Sequence, residues 1–126
     1  MPPHLCNADL PQSLLTLMEG PTPPDDYMSN GCTMSPDLVG GTDLRPACHY
    51  HDYAYGIGGN ERRREEVDRI FKRNLRRCGA SAWFAGIYYR RVALNGVWYF
   101  TFSEPLSAWA KLRIMWRCLF LRVLWF

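Results

Sequence analysis

The feature that most constrains the fold is a pair of helix patterns joined by five residues, "LRPACHYHDYAY" and "ERRREEVDRIFKRNLRRC" around "GIGGN". Pro46 suits a first helical turn, Thr42 or Asp43 can cap it, and the glycines stop it, so the first helix is expected over Leu44 to Tyr55. The second starts at Asn60 or Glu61 and runs to Arg77, before Gly79. Its apolar side is marked by Val67, Ile70, Phe71, Asn74, Leu75 and Cys78, with arginines over the rest. Acids lie toward its start and arginines toward its end, as the helix dipole prefers. A connection this short predicts an antiparallel pair.

Two more helices follow. One starts at Ser81, with Trp83, Ile87, Tyr88, Arg91 and Leu94 in step, and stops near Asn95-Gly96. The other is signalled by Ser103, Glu104 and Pro105 and spans Leu106 to Val123. In it Trp109, Leu112, Trp116, Leu119, Phe120 and Val123 form a stripe against Lys111, Arg113, Arg117 and Arg122. Residues 29–43 are crowded with turn formers and read as a loop. Ahead of them, residues 1–28 read as a Pro-rich acidic arm, with a short helix in "DLPQSLLTLME" whose Leu10, Leu14, Leu17 and Met18 share a face. The expectation is therefore an all-α fold with that arm and one domain over 29–126, of which 104–126 is a basic, Trp-rich helix.

The net charge of +3 averages unlike parts. Residues 1–43 hold six acids and no lysine or arginine, whereas residues 79–126 hold six basic residues and one acid. Such a second half suits a phosphate-bearing surface. No module for base readout stands out, so nucleic acid is the disfavoured partner. No run reaches the ~18 apolar residues of a spanning helix. Trp109, Trp116 and Trp125 suit a lipid headgroup zone and the basic residues attract anionic lipid, though such a stripe serves equally in a core or an oligomer contact. The start "MPPHLCNADLPQ" lacks the basic and apolar regions of a signal peptide. Non-classical secretion, the cell interior or a virion therefore stay open, with peripheral membrane contact.

On the first helix Cys48, His51, Asp52 and Tyr55 stand at i, i+3, i+4 and i+7 and share one side, while His49 and Tyr53 point elsewhere. In the antiparallel partner, Asp68 lies among apolar residues and needs a partner, for which His51 is suited; Tyr55 or an arginine would also serve. An imidazole held by a carboxylate through one nitrogen keeps the other for a proton from water. Asp52 suits a hard cation, and Asn30 and Gly31 would add oxygen ligands if the loop were tied back. Five cysteines, Cys6, Cys32, Cys48, Cys78 and Cys118, allow two disulfides or simple thiols, and none is spaced for a tight zinc site.

The string "NGCTMSPDLVGGTDLRPACHYHDYAY" followed by "VDRIFKRNLRRC" resembles the microbial branch of the secreted phospholipase A2 family, over Ser29 to Cys78. The resemblance implies calcium-dependent hydrolysis of the sn-2 ester of glycerophospholipids at a membrane surface. It assigns His51 as general base, Asp68 as its orienting acid and Tyr55 as their support. Asp52, the Gly31 carbonyl and Asn30 fall at the Ca2+ site, and Cys32 and Cys48 match a disulfide tethering the calcium loop. The chain departs from the family in carrying Asn30 where an aspartate ligand stands, in a shorter hairpin, and in the distance from Cys78 to Cys118. A catalytically inactive lipid-binding or assembly protein on the same scaffold is the alternative, with a second copy or another partner on the last helix.

Overall fold

The computed structural model describes residues 5–29, 38–39 and 42–123, with the side chains of 38–39 and 122–123 left aside. The described chain is mostly helical, as expected. Within the arm, a 3-10 turn at Asn7–Asp9 leads to the single turn α1, Gln12–Leu15, rather than to one continuous helix. Pro11 at its start leaves too little regular chain to propagate. Leu10 and Leu15 are buried with Leu5 and Tyr50, whereas Leu17 is exposed, so the expected shared face does not form.

The segment read as loop contains a small antiparallel pair, β1 at Leu38–Val39 and β2 at Thr42–Asp43, with Leu38 opposite Asp43. It leads into α2, Arg45–Ile57. Leu44 is the capping residue by position and offers no side-chain bond. Asp43 does part of that work, accepting from the Arg45 backbone N–H at 3.0 Å while gripping its guanidinium.

The turn after α2 depends on Gly58, whose φ of +77° and close approach to the Thr101 carbonyl exclude any side chain. Asn60 then caps α3, Glu61–Cys78, which ends on left-handed Gly79. Ser81 caps α4, Ala82–Asn95. The helices α2 and α4 both pack on α3, and the core between them holds Leu44, Ala47, Cys48, Phe71, Leu75, Ala85 and Tyr88. The buried side of α4 is made by Ala85, Tyr88, Tyr89 and Ala93. Trp83, in helical step with Ile87 and Tyr88, is 74% exposed, because small alanines allow close helix packing and a tryptophan would hold the helices apart.

After a 3-10 turn at Gly96–Trp98 the chain crosses the end of α2, where the Thr101 carbonyl accepts from Gly59 N–H. The last α-helix, α5, spans Ala108–Cys118, capped by Ser107 rather than Ser103, and continues as a π-helix over Leu119–Val123. Its expected stripe turns outward. Trp109 is 76% and Trp116 60% exposed, while Cys118 is the buried residue of the helix. Among the described residues no helix is long and apolar enough to cross a membrane.

Candidate active site

The antiparallel packing of α2 on α3 brings His51 and Asp68 together, with His51 Nε2 3.0 Å from Asp68 Oδ1. The Tyr55 hydroxyl donates to the same oxygen at 2.7 Å. Asp68 has no solvent exposure and His51 has 9% by side chain. An ionised carboxylate only accepts, so the bond places the imidazole proton on Nε2 and leaves Nδ1 for other chemistry. Tyr55 and Phe71 flank the imidazole ring with centroids at 4.2 and 4.4 Å, limiting its rotation.

Burial pushes the Asp68 carboxyl upward, but the His51 bond, the charges of His51 and Arg64 and the Tyr55 bond outweigh it and hold it below its ordinary value. Burial and the Asp68 charge push Tyr55 well above the usual phenol range, so it remains a donor. The same oxygen thus receives two bonds, and the other oxygen faces a cation. Arg64, fully buried, brings Nη1 to 3.4 Å from Asp68 Oδ2.

Arg64 was hidden in the run "ERRREE", which reads as solvated charge. Its signal was helical phase: 64, 68, 71 and 75 share a side with Phe71 and Leu75. All five guanidinium N–H groups have partners. Glu61 takes Nε and Nη2, Cys118 Sγ takes Nη2 at 3.2 Å, and Ala93 O accepts from Nη1 at 3.1 Å alongside Asp68.

His49 and Asn74 are two further buried polar residues, and both hold the arm. His49 Nδ1 lies 2.6 Å from Ser29 Oγ, and Nε2 lies 2.9 Å from Asn7 Oδ1. Asn7 Nδ2 donates to the Pro23 carbonyl, which fixes its amide orientation and hence the proton on His49 Nε2. Asn74 Oδ1 accepts from the Glu19 N–H at 2.8 Å and its Nδ2 donates to the Glu19 carbonyl. A histidine and an asparagine in otherwise mixed helix faces gave no such sign in the sequence, because their partners lie 20 to 55 residues away.

Asp52 is the next residue after His51 on α2. It lines a cleft of about 340 Å³ with Tyr27, Ser29, Tyr55 and Tyr99. Burial raises its carboxyl to about 6, against the opposing influence of His51. No side chain among the described residues donates a hydrogen bond to it, and no cluster of three His, Cys, Asp or Glu that could hold a metal occurs among them. His51 lines a different crevice, of about 10 Å³, with Glu19, Gly20, Tyr50 and Phe71. That is room for about one water.

Asn30, Gly31 and Cys32 lie outside the described residues. Cys48 is disulfide-bonded, and Cys6 and Cys78 are free thiols.

The chain is similar to a protein named secretory phospholipase A2 from the fungus Arthroderma benhamiae, with 35% identity. The match takes in 63% of this chain and spans 58% of that protein's length. No family model matches, and no solved structure matches.

Proposed function

We propose that the chain is a lipolytic hydrolase, a phospholipase A2 that cleaves the sn-2 ester of glycerophospholipids. The observation that carries this reading is the His51–Asp68 pair at 3.0 Å, held between antiparallel helices in a chain similar to a protein of that name. With Nε2 on Asp68, His51 Nδ1 accepts a proton from water as the water oxygen bonds to the acyl carbon. The ester C–O bond then breaks, the proton passes from the imidazole to the departing glycerol oxygen, and a fatty acid and a lysophospholipid leave. No acyl-enzyme forms. Asp68 and Tyr55 hold the imidazole in place and share no bond with substrate.

Calcium is part of the proposal. Asp52 fits it by donor chemistry, since a half-buried carboxylate without a hydrogen-bond donor among the described residues is relieved by a hard cation. Asn30 and the Gly31 carbonyl are the further ligands proposed, with Cys32 paired to Cys48 to hold them near. When bound, the ion polarises the ester carbonyl. An aspartate at position 30 would add charge, so N30D is expected to tighten calcium binding in a titration.

A phospholipid surface is the proposed partner. Trp109, Trp116 and Phe120 are exposed beside Lys111, Arg113 and Arg117, a combination that suits an anionic headgroup layer. The test is fatty-acid release from phosphatidylglycerol/phosphatidylcholine vesicles with calcium or chelator, for the wild type and H51A. Release abolished by chelator and by H51A alike supports the reading. No release by the wild type would favour the inactive lipid-binding or assembly scaffold.

A further inference from the structure

We infer that Arg64 is a positioning residue for the His51–Asp68 pair, an inference that rests on the proposed hydrolase reading. Asp68 is a carboxylate with two oxygens and one geometry. Oδ1 receives both His51 and Tyr55, so the rotation of the group about its own axis is fixed only if Oδ2 is held as well. Arg64 holds it from the preceding turn of α3, at i−4. A fully buried guanidinium is rigid only when its fork is filled, and here every N–H is engaged.

The anchoring reaches beyond α3. Ala93 O comes from the last turn of α4, where carbonyls lack helical partners, and Cys118 comes from α5. Arg64 therefore ties the carboxylate that orients His51 to two helices that carry none of the proposed catalytic groups. Gly96 completes the arrangement. A Cβ there would meet Tyr55 Oη at 2.2 Å and Arg64 Nη1 at 3.1 Å, so the absence of a side chain lets the tyrosine and the guanidinium meet beside Asp68. The sequence carries the consequence: of three adjacent arginines, Arg62 and Arg63 stay at the surface and Arg64 is interior.

The experiment compares wild type, R64M and R64K in two independent readouts. The first is vesicle hydrolysis with kcat and KM separated. Loss of orientation acts on the chemical step, so R64M is expected to lower kcat by about 100-fold with KM within about twofold, and R64K, which retains a cation without the fork, to recover part of that loss. The second is the ring-nitrogen NMR signature of His51, which needs no substrate and is read on the folded fraction. Wild type and R64K are expected to show the Nε2–H tautomer, and R64M a mixture. An R64M protein that keeps kcat within about twofold, or that keeps the wild-type tautomer while folded, overturns the inference. Equal loss in R64K and R64M overturns it too, and should R64M fail to fold, R64Q, which lacks both the charge and the fork, takes its place under the same two criteria. If the wild type releases no fatty acid, the hydrolase reading fails while the tautomer comparison still judges Arg64.

Discussion

Replacing Gly96 by alanine perturbs the site without touching a polar group. Its φ of −64° suits any residue, so backbone strain contributes nothing. The added methyl would sit 2.2 Å from Tyr55 Oη and 3.0 Å from Cζ. Restoring ordinary contact requires the hydroxyl to move by about 1.2 Å, enough to break its 2.7 Å bond to Asp68. Losing a buried bond to a charged group costs about 1.5–3 kcal/mol, and overpacking adds about 1–3 kcal/mol. Alanine's lower entropy in the unfolded chain returns about 0.5–1 kcal/mol. The net expectation for G96A is a destabilisation of about 3 kcal/mol, read as a lower urea midpoint at unchanged m. Gly86, within α4 and with nothing within 4 Å of its added Cβ, is the control, and G86A should be neutral or stabilised by up to about 1 kcal/mol. In a Y55F background the hydroxyl is gone, so G96A should cost at least about 1.5 kcal/mol less than alone. If G96A unfolds at the same urea concentration as G86A, or costs the same with and without the Tyr55 hydroxyl, the reasoning is wrong.

Two further outcomes concern the arm. Asn74 holds both backbone groups of Glu19, so N74A should release that segment locally, at a cost of about 2 kcal/mol, and speed exchange of the Glu19 amide proton roughly 30-fold; unchanged exchange would deny the clamp. Burial lowers the pKa of His49, so the unfolded chain binds the proton more readily than the folded one. Its contribution to stability is therefore complete above the unfolded value of about 6.5 and is lost as pH falls toward the folded one. Urea midpoints of wild type should drop more steeply than those of H49Q between pH 7.5 and 5.5, and parallel slopes would remove His49 from the account.

The helix hairpin was legible because its signals are local. Periodicity, capping residues and the glycine stop lie within one or two turns, and they place His51 and Asp68 on facing helices before any packing is known. The same logic left open which side of α4 and of α5 meets the body. A stripe at helical spacing shows that a helix has two sides, and which side meets the body depends on the surface available to it. Alanines 85 and 93 give α4 a closer contact than its tryptophan could, and α5 buries Cys118 against Arg64 instead of its aromatics.

The sequence by itself determined the two central helices, their antiparallel order, and the histidine and carboxylate that meet between them. Only the tertiary structure decided which of three consecutive arginines goes inside, that His49 latches the arm, and that the Trp-bearing side of α5 faces outward. The physical reason is range. A turn or a helix face is set by neighbours three or four residues apart, whereas burying a charge or an imidazole requires partners such as Ala93 and Cys118 for Arg64, or Asn7 and Ser29 for His49, that only the folded chain brings within reach.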